Sequence, residues 1–327
     1  MKQAAEIILW ITIVTWFSGC NGEWQEFKER LRQGQGQLPG ETPPSTEEPP
    51  SVTPRPEPTL PPPTSGTLCA GLKSKSGVYS VTFSHLGSER KTQVSIPSTY
   101  SSEKGSPLIV SFHGLGGNGL QHERNLNMNK LANARGYITA HPDGLNNSWN
   151  AGTCCGNRDG DDVDFFRTLV TTLSKELCID PSRIYVTGLS NGGFMSYRLA
   201  CEASELIAAA APIAGTIGVA NCLPKRPVSI LHLHGTDDTL VKYEGSSLGP
   251  GAVEATERWA DLNACPEKTE VLVDKGNWLC EQAKDCSAKS EVTLCTVDQG
   301  SHTGPWHYSS GSTVIATDVI LDFFDRN

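Results

Sequence analysis

Hydrophobic and polar positions change their period along the chain, and the changes divide it. Residues 77–84 and 89–96 alternate apolar with polar, the period of strands with one wet side, and a turn near Gly87 joins them as an antiparallel pair. Beyond them the alternation stops. Pro107–Phe112, Tyr137–Ala140, Arg183–Thr187 and Val228–Leu233 are short apolar runs ending in glycine or turn residues, as strands buried on both faces do. Helical stretches lie between them. The clearest starts near Asp161 and puts Val163, Phe166, Val170, Leu173 and Leu177 on one face. Asp161, Asp162 and Asp164 fall in its first turn, where the helix dipole favours negative charge. A calcium loop is the alternative for Asp159–Asp162, but the glycine and distal glutamate of an EF-hand are missing. A last helix is expected over 313–325. Strands alternating with helices predict an α/β domain, a mainly parallel sheet with helices on both faces. The chemistry of such a sheet sits beyond the carboxyl ends of its strands.

The N-terminal stretch differs in kind. Lys2 precedes the apolar run Ile7–Phe17, and the small residues Ser18 and Gly19 lead to Cys20. That order is that of an export signal, and the run falls well short of the about 20 residues that span a bilayer. Phe17-Ser18-Gly19-Cys20 resembles a bacterial lipobox, with Phe17 where leucine is usual, and makes Cys20 the candidate lipidation site. Simple cleavage and an uncleaved anchor are the alternatives. Residues 1–20 are thus expected to be a signal peptide. Residues 39–63 hold eleven of the chain's 21 prolines and can build neither helix nor sheet ladders. Residues 21–66 are expected to be a disordered linker, either a spacer reaching on the order of 100 Å or an inert tail. One domain, 67–327, remains.

Charge and cysteine narrow the partners. Lys and Arg total 27 against 36 Asp and Glu, a formal charge of −9 without a basic patch, so no nucleic-acid partner is expected. Membrane contact is expected only through a lipid on Cys20, and the domain is expected to be a monomer. Setting Cys20 aside leaves ten of the 11 cysteines, enough for five disulfides in an oxidising compartment, secreted or at the cell surface. No C-x-x-C pair suggests zinc. Local spacing suggests joining Cys280 to Cys286 and Cys265 to Cys295.

The candidate chemistry gathers after the strands. Gly188-Leu189-Ser190-Asn191-Gly192 follows the strand-like Arg183–Thr187 and precedes a helical stretch, Phe194–Ala200. A serine there stands on a sharp strand-to-helix turn, and glycine two residues to either side avoids a clash. The pentapeptide alone is weak; its context makes Ser190 the candidate nucleophile. A serine hydroxyl needs a base, and the base an orienting carboxylate. Asp237 and Asp238 follow the run over 228–233, and Gly300-Ser301-His302-Thr303 follows another at 291–297. His302 is preferred to His307 as the base, while the adjacent aspartates stay unresolved at this level. His232 and His234 share a strand face, which admits a metal pair, but packing and loop support are the simpler roles; no metal or cofactor is expected. His113-Gly114-Leu115-Gly116-Gly117 follows the run over 107–112, and the N–H groups of Leu115 and Asn191 are the candidate oxyanion donors. The Lys-Ser/Thr ending of a phosphate loop is absent.

These motifs are joined by Ser148-Trp149-Asn150-Ala151-Gly152-Thr153-Cys154-Cys155-Gly156, Asp161-Asp162-Val163, Arg198-Leu199-Ala200-Cys201 and His234-Gly235-Thr236-Asp237-Asp238. Together they make residues 75–327 resemble the secreted polyhydroxybutyrate-depolymerase-type esterases, which include feruloyl and acetylxylan esterases of carbohydrate esterase family 1. The resemblance implies the α/β-hydrolase fold and a serine carboxylic ester hydrolase without a cofactor. Its His-Gly-Thr-x-Asp pattern assigns the acid to Asp238, and its histidine motif falls on His302. The implied substrate is a feruloyl or acetyl ester of plant cell-wall polysaccharide, with a polyhydroxyalkanoate as the alternative. A serine peptidase and a non-catalytic tethered binding module on the same fold are the rivals. Ser301 and Thr303-Gly304-Pro305-Trp306 depart from the family's Gly-Gly-His-x-Trp-Pro, which alters the wall beside His302. Trp149 and Trp306 are the candidate aromatic surfaces for substrate, with a packed-core or structural-loop role the alternative, above all for Trp149.

Overall fold

The computed structural model describes residues 69, 71–73, 75–156, 160–309 and 312–327. The expected signal peptide with Cys20 and the expected linker lie outside the described residues.

β1 (Gly77–His85) and β2 (Ser88–Ile96) form the opening antiparallel pair, with Leu86 and Gly87 at positive φ in the turn. β2 pairs antiparallel with β4 (Ile138–Pro142). A parallel block follows, in the order β4, β3 (Ser106–Phe112), β5 (Ile179–Leu189), β6 (Ala209–Ile213), β7 (Ser229–Gly235) and β12 (Val292–Val297). β11 (Trp278–Ala283) and β10 (Thr269–Lys275) close the ten-stranded sheet antiparallel. A short ribbon, β8 (Gly245–Ser246) with β9 (Gly249–Pro250), stands outside it.

Successive side chains of a strand point to opposite faces, and the core divides accordingly. Val110, Phe112, Val186 and Ile230 pack on one side of the sheet with α3 (Asp162–Ser174), α4 (Asn191–Glu202) and α5 (Ala252–Leu262). Ile109, Tyr185, Leu231 and Leu233 pack on the other with α1 (Gly119–Leu126), α2 (Met128–Ala134) and α6 (Ala316–Arg326). Both faces are covered, which is why these strands read as continuous apolar runs. This is the α/β-hydrolase fold, as expected.

The acids at 161–164 begin a helix. Asp161 caps α3 by accepting the Asp164 N–H at 2.9 Å, and Asp162 turns inward to Arg90. The last helix starts at Ala316 rather than 313. All ten described cysteines are paired, but not as local spacing suggests. The bonds are Cys69–Cys178, Cys154–Cys155, Cys201–Cys222, Cys265–Cys286 and Cys280–Cys295. Cys280 lies directly opposite Cys295 in the β11–β12 register, so sheet pairing decides that partner over closeness in sequence.

Candidate active site

Four loops leave the carboxyl ends of parallel strands β3, β5, β7 and β12, and each carries a residue singled out from the sequence. β5 ends at Leu189, and α4 begins at Asn191, leaving Ser190 alone in the turn at φ 57° and ψ −120°. A residue bearing a side chain is strained there, and the surroundings hold it. Its N–H donates to the Ile213 carbonyl at 2.8 Å, and its own carbonyl accepts from Phe194 at 2.9 Å. The turn is also packed too tightly for side chains on either flank. A Cβ on Gly192 would fall 2.0 Å from the Phe112 oxygen, and one on Gly188 2.5 Å from the Gly192 oxygen. Ser190 itself is half-buried, and among the described residues its hydroxyl makes no hydrogen bond to His302. Such bonds are commonly long before substrate arrives.

Asp238 and His302 are brought together. His302 Nδ1 lies 2.7 Å from Asp238 Oδ2, across 64 residues of sequence. The main-chain N–H groups of Leu240 and Val241 donate to Asp238 Oδ1 at 2.9 and 2.8 Å. His234 Nε2 stands 3.4 Å from Asp238 Oδ2. Burial opposes the charge on Asp238. Hydrogen bonds from His234 and His302, the charge of His302 and the Val241 N–H overcome that and hold the carboxyl well below the usual carboxylate range. Asp237, by contrast, is exposed, and so is His307. The geometry therefore separates the two aspartates that sequence order leaves equivalent.

The glycine-rich loop after β3 lies against the serine turn. A Cβ on Gly114 would sit 3.3 Å from the Leu189 oxygen and 3.5 Å from Ser190 Cβ. The N–H groups of Gly116 and Gly117 are taken by the carbonyls of Asn147 and Gly114. Leu115 N–H makes no hydrogen bond among the described residues, and Asn191 N–H, at the first turn of α4, has no carbonyl one turn back to bond. His113 locks this loop. Its Nε2 accepts from Gly144 N–H at 2.9 Å, so Nδ1 carries the proton and donates to the Gly114 carbonyl at 2.7 Å. Burial lowers the pKa of that ring, which favours the neutral form this pattern needs.

Trp149 and Trp306 do not form aromatic walls for a substrate. Trp149 is 0 % exposed and Trp306 1 %. Trp149 packs edge-on against Phe112, and its indole N–H donates to the His113 carbonyl at 2.9 Å. Trp306 packs against Trp278 and donates to the His302 carbonyl at 3.0 Å, bracing the loop that carries the base. Each ring fills a gap under a functional loop, which the sequence cannot distinguish from lining a cleft.

Sequence reasoning also missed a role of the Asn191 side chain. Its oxygen accepts Trp149 N–H at 2.7 Å, and its amide donates to the carbonyls of Trp149 and Cys155 at 3.1 and 3.3 Å. One residue thus offers a main-chain donor beside Ser190 and ties down the loop holding the Cys154–Cys155 disulfide. The residue is legible in the motif; its partners are not.

No family model matches the chain. Feruloyl esterase B of Piromyces equi is 34 % identical over 231 residues, which are 65 % of this chain and 42 % of that protein. The chain therefore spans less than half the length of that relative. Feruloyl esterase D of Neurospora crassa is 29 % identical over 266 residues, 75 % of this chain and 85 % of the relative. Among solved structures, an acetyl xylan esterase from Aspergillus awamori is 18 % identical with a TM-score of 0.58, over 77 % of this chain and 100 % of the other, a likeness of fold. Sheet, serine turn and acid–histidine pair together define an α/β-hydrolase. Within that class the chain is similar in sequence to feruloyl esterases.

Proposed function

We propose that the protein is a serine carboxylic ester hydrolase acting on feruloyl or acetyl esters of plant cell-wall polysaccharide. The observation that carries this reading is the 2.7 Å pair of His302 and a buried Asp238, on loops that leave the same sheet edge as the strained Ser190 turn. In this mechanism Ser190 Oγ attacks the ester carbonyl while His302 Nε2 takes its proton and passes it to the leaving alcohol. Asp238 keeps the proton on His302 Nδ1 and stabilises the imidazolium. The N–H groups of Leu115 and Asn191 bind the oxyanion, and water then attacks the acyl-enzyme with His302 as base. The substrate class is supported by the relatives' names, feruloyl esterase and acetyl xylan esterase. The five disulfides suit an extracellular setting.

Ser190→Ala tests the chemistry. Hydrolysis of p-nitrophenyl acetate and methyl ferulate is expected to fall by about a thousandfold or more with the fold intact by circular dichroism. Turnover retained in the variant would overturn the assignment. Acid release from methyl ferulate, acetylated xylan and a hydroxybutyrate oligomer tests the substrate class, and preference for the oligomer would displace the polysaccharide esters.

A further inference from the structure

Behind Asp238 runs a line of buried polar groups that ester hydrolysis, as described above, does not use. Tyr197 on α4 and His232 and His234 on β7 are each 1 % exposed or less. Tyr197 Oη lies 2.8 Å from His232 Nδ1, His232 Nε2 lies 2.8 Å from His234 Nδ1, and His234 Nε2 lies 2.7 Å from the Val241 carbonyl. A carbonyl only accepts, so with one proton on each ring the order is fixed. His234 Nε2–H donates to Val241, His232 Nε2–H donates to His234 Nδ1, and the Tyr197 hydroxyl donates to His232 Nδ1. The reverse order would set a bare His234 nitrogen against both the Val241 oxygen and the Asp238 carboxylate. Burial favours a neutral His232 and a protonated Tyr197, as this order requires.

The same His234 N–H reaches Asp238 Oδ2 at 3.4 Å, on the oxygen that His302 Nδ1 contacts at 2.7 Å. We propose that His234 is a positioning residue for Asp238, with Tyr197 and His232 dictating which of its ring nitrogens carries the proton. Resting on the esterase reading, this adds a 3.4 Å side-chain N–H contact on Oδ2 to the two main-chain N–H groups on Oδ1, which opposes rotation of the carboxylate plane away from His302.

Two amide variants separate positioning from packing. Glutamine can place its amide nitrogen where His234 Nε2 sits, whereas asparagine reaches only the Nδ1 place. With methyl ferulate, His234→Asn is expected to lower kcat about thirtyfold with KM within about twofold, and His234→Gln to stay within about threefold of the wild type. In an Asp238→Asn background the His234→Asn change is expected to cost no more than about twofold, because the interaction it removes is already gone. A folded His234→Asn enzyme with unchanged kcat would overturn the proposal. So would an equal loss with and without Asp238, or a loss confined to KM. Should the asparagine variant not fold, Tyr197→Phe carries the test: deleting only the far hydroxyl is expected to lower kcat about threefold, and an unchanged kcat overturns the proposal. Turnover surviving in Ser190→Ala would instead sink the esterase reading itself, a result independent of residue 234.

Discussion

Asp237 and Asp238 show how little separates a functional side chain from a bystander at the level of one residue. They are neighbours of identical chemistry, yet one is exposed while the other is buried and accepts two main-chain N–H bonds. Asp237→Asn is expected to leave kcat within about twofold, and Asp238→Asn to lower it about a thousandfold or more, in steady-state assays of methyl ferulate. Similar losses in both would mean that the acid is shared. The family pattern points to Asp238, but residue order alone does not, because adjacent side chains diverge and only the turn geometry sets which one faces His302. The tryptophans make the same point in reverse. Trp149 and Trp306 are visible as residues of interest, yet their burial depends on rings and loops far away in sequence.

Among elements, legibility follows burial pattern. β3, β7 and the centre of β5 are apolar on both faces and announce themselves; β6, Ala209–Ile213, does not. Alanine has little strand preference, and this segment is a strand because β5 and β7 both pair with it. β10 is mostly exposed, and its short apolar stretch Val271–Val273 between charged residues neither alternates nor runs long enough to announce a buried strand. The Arg90–Asp162 pair is equally invisible, though it joins β2, second from the sheet's edge, to the start of α3. Arg90 Nη2 donates to Asp162 at 2.9 Å, and the guanidinium stands 3.6 Å from the Phe165 ring centroid. The second Asp162 oxygen accepts Asn150 N–H at 2.7 Å, next to the Trp149 loop. Both partners are buried, so removing one leaves an uncompensated charge. Arg90→Met is expected to destabilise by about 3 kcal/mol in urea unfolding, and a loss under about 1 kcal/mol would show the pair to be dispensable.

For the molecule as a whole, the buried histidines set how stability follows pH. Burial pushes His122 and His232 well down and His141 to about 3, so all three stay neutral in the fold. Once unfolded they take up protons near the ordinary value of about 6.5. Below that the unfolded chain binds more protons than the native one, so stability is full above about pH 6.5 and falls as pH drops. Each such histidine contributes a slope of up to about 1.4 kcal/mol per pH unit. Urea midpoints from about pH 8 to pH 5 should hold and then decline; a flat profile would mean these rings are protonated in the native state. Period, glycine placement and motif order are local properties, so the linear chain already specifies an α/β sheet, a serine on a strand-to-helix turn and the loop that carries the histidine. Cysteine partners, the buried tryptophans and the histidine line behind Asp238 came only with folding, as did the turn geometry that sets Asp238 apart from Asp237. Each depends on how segments pack against one another, and burial, register and hydrogen-bond direction exist only once those segments have met.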